Sequence, residues 1–418
     1  MIKIEKGGER MTEKIKRISK TLGLRTVFGL LCGSLAGTVG IALYWSIHLL
    51  QQVRLAHGWT IFLLPAIGLL IVALYRGAKM PKDRSTNLVL QAARGGKDVP
   101  LRQGALIFLT TALSHLGGAS VGREGAAVQI GGSIGDWLSR LFRVDGKERR
   151  LIVMSGVSAA FSAVFGTPLT AVIFPMEIAA AGKLSFAAFW PCAIASAVGY
   201  TVRCFTGAHA EVFHLPVDTA FALRPLIRVI AVAAGCALVS RLFCLVMKWV
   251  GDSRDRLSFM KNTYLRVAIG GTVVLVLTLI VGTRDYNGAG VEVIARAIEH
   301  GEVVWYAFLL KILFTAVSLK SGYKGGEVVP TLFIGATAGC AIATLVGCSP
   351  SLGAAVGMVA LFAGATDCPF SALLLGWELL GGGLGWYLLP AAVVGWFFSG
   401  DISLYKKHPS FLCRYRPK

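Results

Sequence analysis

Long unbroken runs of apolar residues, rather than strict alternation, dominate the chain, beginning with Val27 to Leu50 and Trp59 to Tyr75. A helix crosses a bilayer in about 20 residues, so these runs are long enough to span. Backbone in hydrocarbon must satisfy its own hydrogen bonds, which leaves helices or a closed barrel. Continuous apolar runs select helices, because barrel strands alternate. The pattern therefore predicts an all-α, polytopic membrane protein. Glycine clusters at Gly131-Gly132, Gly325-Gly326 and Gly381-Gly382-Gly383 interrupt the runs and predict helices that stop partway through the membrane. Such breaks are tolerated only where the freed backbone lines a cavity or is buried in protein.

The pattern also repeats. Ala159, Phe161, Pro168, Ala171 and Glu177 recur without a gap as Ala360, Phe362, Pro369, Ala372 and Glu378. Upstream, Gly122-Arg123-Glu124-Gly125 has a counterpart in Gly325-Gly326-Glu327 at nearly the same offset. Two related halves with interrupted helices at matching positions form a common transporter plan, with the site between the halves near the midplane. We place the halves at about 26–207 and 225–399.

Composition supports the membrane reading: 55% of the 418 residues are hydrophobic, 15% are charged, and mean hydropathy is +0.66. The net charge of +20 would suggest nucleic acid in a soluble protein. Here the basic residues cluster between and outside the apolar runs. Residues 1–25 carry eight Lys or Arg and three Glu, residues 76–103 carry seven Lys or Arg and two Asp, and residues 401–418 carry five and one Asp. The positive-inside rule puts all three in the cytoplasm, which implies an even number of crossings and cytoplasmic termini. The expected layout is a basic cytoplasmic segment at 1–25, a transmembrane domain at 26–405 and a short cytoplasmic tail at 406–418. Glu13 to Arg25 reads either as a basic helix on the inner leaflet or as a solvated tail. No cleavable signal sequence is read at the start. The nine Cys and seven His have no metal-ligand spacing, and no cofactor is expected.

Glu124 carries the most informative chemistry. A carboxylate at membrane depth costs at least about 2.5–3.5 kcal/mol on insertion scales. Gly122 and Gly125 let backbone approach a ligand closely. The amides opening the next helix favour negative charge, so Gly122, Arg123, Gly125 and Ala126 are candidate anion contacts. An ionised Glu124 can occupy such a site itself, and a protonated Glu124 can leave it to an anion. The alternative is a glutamate that only caps its own helix. Arg123 reads as an anion ligand or, preferably, a structural partner. Glu327 is a second candidate proton-handling carboxylate, with Val328 and Val329 at the same kind of helix start. Ser85, Thr86 and Asn87 read as an N-cap that can also offer amides and hydroxyls. Tyr405 is by default an interface anchor, but its hydroxyl can donate to a halide. Glu177 and Glu378 read as structural, pairing with backbone or Arg. An intramembrane hydrolase built on Ser114-His115 or Ser120 is a reading of another class. Adjacent helix residues do not face each other, however, and no nucleophile motif frames these serines.

Taken together, Gly122-Arg123-Glu124-Gly125, Val128-Gln129-Ile130-Gly131-Gly132, Phe165-Gly166-Thr167-Pro168-Leu169 with Glu177, and Gly325-Gly326 with Pro330 resemble the CLC family of chloride channels and anion/proton antiporters. The likeness runs from about residue 25 to Tyr405. It implies an inverted-repeat helical fold, usually a homodimer with one pore per subunit, and gives Glu124 the family's gating role. Several positions depart from chloride-selective members. Gly77-Ala78-Lys79-Met80-Pro81 lacks the family's common Gly-Ser-Gly-Ile-Pro pattern. Ala126 stands where Pro is usual, Ile178 where many antiporters have an inner glutamate, and Glu327 where an apolar residue is usual. These departures resemble the fluoride-exporting branch. The expectation is fluoride/proton antiport, with chloride transport as the alternative.

Overall fold

The protein is described by a computed structural model covering residues 2–80, 86–96, 98–179, 184–216, 223–382, 384–400 and 402–405. Ser85 and the tail 406–418 lie outside the described residues. Sixteen α-helices and no strand occur among the described residues. The first half holds α1 (Ile2–Ala56), α2 (Leu64–Gly77), α3 (Thr86–Ala93), α4 (Leu101–Leu116), α5 (Glu124–Leu141), α6 (Gly146–Phe165), α7 (Pro168–Ala179) and α8 (Phe189–Phe205). The second holds α9 (Leu223–Arg256), α10 (Thr263–Val281), α11 (Val291–Ala295), α12 (Ala307–Ser321), α13 (Val328–Leu345), α14 (Pro350–Thr366), α15 (Pro369–Leu379) and α16 (Gly385–Ser399).

Five helical segments are long and apolar enough to cross a membrane: Thr21–Ala56, Gly58–Gly77, Leu223–Ser253, Thr263–Val281 and Val328–Leu345. Others, such as α7 at 12 residues and α15 at 11, are too short to cross alone. Helix α1 passes residue 25 without a break. Arg25 there grips Glu148 near the start of α6, with Nη2 and Oε1 2.6 Å apart.

The two halves pack alike. Helix α1 lies on α6 and α8, and α9 lies on α14 and α16. The contacts of α6 with α8 and of α14 with α16 rely on absent side chains. A Cβ on Gly199 of α8 would stand 2.5 Å from the Ala159 carbonyl of α6, and one on Gly395 of α16 would stand 2.2 Å from the Ala360 carbonyl of α14. Without a hydrophobic drive between helices in lipid, close backbone packing of this kind holds the bundle. Phe161 and Phe362, partners in the sequence repeat, are bridged by Phe174 at ring-centroid distances of 5.0 and 6.5 Å.

The halves are inverted, and two carboxylates show it. Glu177, at the end of α7, accepts from the amides of Phe370 and Ser371 at the start of α15 (3.1 and 2.8 Å). Glu378, at the end of α15, accepts from the amides of Leu169 and Thr170 at the start of α7 (2.7 and 2.8 Å). Each helix end meets the other's start, so α7 and α15 run antiparallel. Each carboxylate serves the otherwise unpartnered first amides of its neighbour and complements its dipole.

One expectation fails in detail. Gly131 and Gly132 do not interrupt a helix; both lie inside α5. Their missing side chains serve contact instead, since a Cβ on Gly131 would sit 2.2 Å from the Gly156 carbonyl of α6. Gly325-Gly326 and Gly381-Gly382 do fall between helices, while Gly383 lies outside the described residues.

Candidate functional site

Two helices, α5 and α13, meet at their starts. Gly122 donates to the Gly326 carbonyl and Gly326 to the Gly122 carbonyl, both at 2.8 Å, as an isolated antiparallel bridge. The bridge holds the N-termini of α5 and α13 together. Both glycines leave room beside it. A Cβ on Gly122 would fall 2.2 Å from the Glu124 carboxylate, and one on Gly326 would fall 2.4 Å from both that carboxylate and the Gly125 amide. The Glu124 side chain therefore lies folded against the bridge, in the space that two side chains would otherwise fill.

Glu124 has no solvent exposure, and neither carboxylate oxygen has a hydrogen-bond partner. The amides of Arg123, Glu124 and Val329 lie around it, drawn from both helix starts, but none meets it in hydrogen-bonding geometry. This separates it from the other buried carboxylates. Asp136 accepts from the Val99 amide at 3.0 Å and pairs with Arg149 at 2.6 Å. Glu177 accepts two amides and the Ser371 hydroxyl.

Arg123 turns away from the bridge. It is buried, pairs with Glu211 at 2.5 Å, and stacks over Tyr44 at 4.9 Å and Phe165 at 5.9 Å. Arg203 covers the same Tyr44 ring at 4.6 Å. It donates to the carbonyls of Ala163 (2.8 Å), Val164 (3.0 Å) and His209, closing the end of α6. Sequence reading missed Tyr44, Arg203 and Glu211. The signal available for Arg203 was a lone charge in an apolar run.

The other candidates are distributed around this centre. Gly125, Ala126, Val328 and Val329 are buried at the two helix starts. Gly125 approaches the second half closely, since a Cβ there would lie 2.8 Å from the Gly325 carbonyl. Glu327 is half-buried at the N-cap position of α13, where its carbonyl accepts from the Thr331 amide at 2.9 Å. Tyr405 is buried and lies within electrostatic reach of both Glu124 and Glu327. It is brought there by the Leu404 amide, which donates 2.9 Å to the Ala365 carbonyl of α14. Thr86 opens α3, which packs on α5, α6 and α7; Asn87 follows it, and Ser85 lies outside the described residues.

The hydrolase reading finds no support. The Ser114 hydroxyl donates to the Thr110 carbonyl at 2.8 Å and accepts the Lys324 amide at 3.1 Å. The Ser120 hydroxyl is 3.0 Å from that of Thr315. Neither has a histidine partner, and no metal-binding group of His, Cys, Asp or Glu occurs among the described residues.

Comparison with known proteins agrees with this geometry. A "Chloride/fluoride channel protein" of Pseudomonas syringae pv. tomato is 33% identical, over 93% of this chain and 86% of its own length. A solved "CLC-type fluoride/proton antiporter" superposes with a TM-score of 0.87 at 28% identity, covering 92% of this chain and 97% of that one. A "slow cyanobacterial Cl-/H+ antiporter" shares the fold at a TM-score of 0.76 and 20% identity, over 90% and 94% of the two chains. The family profile described as "Voltage gated chloride channel" matches residues 67–400. This chain, with its paired helix starts joined at Gly122 and Gly326, therefore belongs to the CLC family of voltage gated chloride channels and anion/proton antiporters.

Proposed function

We propose that the chain exchanges fluoride for protons across the cell membrane, with Glu124 as gate and proton carrier. The observation that carries this reading is a fully buried carboxylate with no hydrogen bond, resting where two helix starts converge. Both helix dipoles favour negative charge there, so ionised Glu124 and a small anion compete for one place. Protonation removes the charge, weakens the attraction to both helix starts, and lets the side chain yield to the anion. One turnover thus moves a proton on Glu124 and an anion through the position it vacates. The Arg123 backbone, Gly125, Ala126, Val328 and Val329 frame the place, and Glu327 and Tyr405 flank it as a second proton carrier and a hydroxyl donor. Thr86 and Asn87 offer further donors from α3.

Fluoride is favoured by Glu327, Ala126 and Ile178, and by the likeness to the fluoride/proton antiporter and the chloride/fluoride channel protein. Chloride is the second reading, favoured by the family itself. The family resemblance also supports a homodimer in the bilayer, and the basic segments support cytoplasmic termini in the inner membrane. Purified protein in liposomes decides the matter. An imposed fluoride gradient should drive protons the opposite way, faster than a chloride gradient does. Glu124→Gln, which mimics the protonated form, should abolish proton movement. A fluoride gradient that moves no protons in the wild type overturns antiport, and intact coupling in Glu124→Gln removes Glu124 from the mechanism.

A further inference from the structure

Three buried cationic or polar side chains gather where the turn after α4 meets the loop before α11, without a carboxylate among them. Lys311, in the apolar run of α12, has 0% exposure. Its Nζ donates to the carbonyls of Tyr286 (3.2 Å) and Gly288 (2.8 Å) and lies 4.8 Å from the Phe333 ring centroid. An ammonium has three protons, so one is left over. Arg54, near the end of α1, is 6% exposed and its Nε has no partner. Its guanidinium packs on the same glycine, since a Cβ on Gly288 would lie 3.3 Å from Arg54 Nη2. His115, near the end of α4, is 2% exposed and its Nε2 has no partner. Its ring lies by the backbone of Gly122, within electrostatic reach of Arg54 and Lys311.

The fold holds these groups together. Asn287 donates to the Gly118 carbonyl at 2.9 Å, and the Gly288 amide donates to the Ala119 carbonyl at 3.1 Å. The turn after α4 is thus laced to the loop before α11, and the three side chains are clamped around it. Of the nearby acids, Asp285 pairs with Arg296 at 2.5 Å, and Glu292, exposed and accepting from Gln51 at 2.8 Å, reaches Arg54 and Lys311 only through space. Among the described residues neither Arg54 nor Lys311 makes an ion pair.

A lysine and an arginine buried against one glycine repel whenever both are protonated, and burying a charge is costly unless it is paired. We infer that Arg54, Lys311 and His115 form a second anion site, which takes a small monovalent anion as the missing counter-charge. The spare Lys311 proton and Arg54 Nε–H are its donors, and the His115 ring forms its wall beside Gly122. The site lies toward the Arg54 end of α1, opposite the Arg25 end, and holds the anion beside the gate before or after it passes Glu124. This inference rests on the transport reading for its purpose, but its existence is separable from it.

The test has two arms. Detergent-purified full-length protein is titrated with sodium fluoride and sodium chloride at constant ionic strength, with gluconate as the replacement anion, and binding is followed by calorimetry. Flux against anion concentration is then measured in liposomes. Lys311→Met should weaken binding at least tenfold and raise the half-saturating concentration likewise, with the proton-to-anion ratio unchanged. Lys311→Arg, which keeps the charge, should recover most of the loss. If Lys311→Met does not yield folded protein, Arg54→Gln serves, with the same expectation and Arg54→Lys as its rescue. A purely structural strut would lower stability and maximal rate and leave half-saturation alone, so unchanged binding and half-saturation in folded variants overturns the inference. If the wild type binds the anion, loses it on Lys311→Met, and yet carries none, the site stands and the transport reading fails.

Discussion

Gly122 and Gly326 donate to each other's carbonyls at 2.8 Å, and this one pair of bonds locks the starts of α5 and α13 onto a single point. The Glu124 carboxylate rests against both glycines. Everything proposed for the gate depends on that contact, and the two glycines are not equivalent in it.

The three atoms nearest a methyl group on Gly122 all belong to the Glu124 carboxylate, the end of a side chain able to swing away. Gly122→Ala should therefore fold, displace the carboxylate and uncouple anion from proton movement. A methyl group on Gly326 also meets the Gly125 amide at 2.4 Å, and backbone cannot swing aside. Gly326→Ala should cost about 1–3 kcal/mol as overpacking does, read as a lowered Tm in detergent. Adding Glu124→Ala should restore neither coupling in the first variant nor stability in the second. Equal Tm losses for the two glycine variants would contradict this account.

Glu177 and Glu378 predict a second asymmetry. Glu177 is more buried than Glu378, and each serves two amides and a hydroxyl. Truncation leaves those donors unpaired, and each costs about 1–3 kcal/mol where water cannot replace the carboxylate. Glu177→Ala should lower Tm more than Glu378→Ala. Glu177→Gln should fall between wild type and Glu177→Ala, because the amide oxygen still accepts. Thermal melts of the purified variants check the order.

Arg123 and Glu211 should couple. Hydrogen bonds to charged groups contribute roughly 1.5–3 kcal/mol, and this one is partly buried over Tyr44. A double-mutant cycle of Arg123→Gln with Glu211→Gln should give an interaction within or just below that range. A coupling near zero would free Arg123 to act on the anion directly.

Tyr405→Phe removes one hydroxyl and little volume. If that hydroxyl donates to the transported anion, the loss of about 1 kcal/mol corresponds to a rise of roughly fivefold in half-saturating concentration. Fluoride should be affected more than chloride, because the smaller ion accepts the stronger bond. Liposome flux with each anion measures both values.

Much of this was legible along the chain. Apolar runs without alternation gave helices, because a bilayer offers backbone no other partner. The recurrence of Ala159, Phe161 and Glu177 as Ala360, Phe362 and Glu378 gave the two halves. Those residues now sit in matched packing and in the reciprocal caps. Glu124 stood out because a carboxylate in apolar surroundings is costly wherever it points. Gly131-Gly132 was misread as a break because glycine serves two purposes, ending helices and letting them touch, and local sequence does not separate them.

Local hydropathy and charge along the chain were enough for the class of fold, its internal repeat and the identity of the suspicious carboxylate. The tertiary structure alone decided who the partners are. It set Gly326 against Glu124 across 202 residues of chain, gave Arg123 to Glu211, and gathered Arg54, His115 and Lys311 around one loop. Whether a buried charge is satisfied depends on groups brought from distant segments, and no local pattern records their arrival.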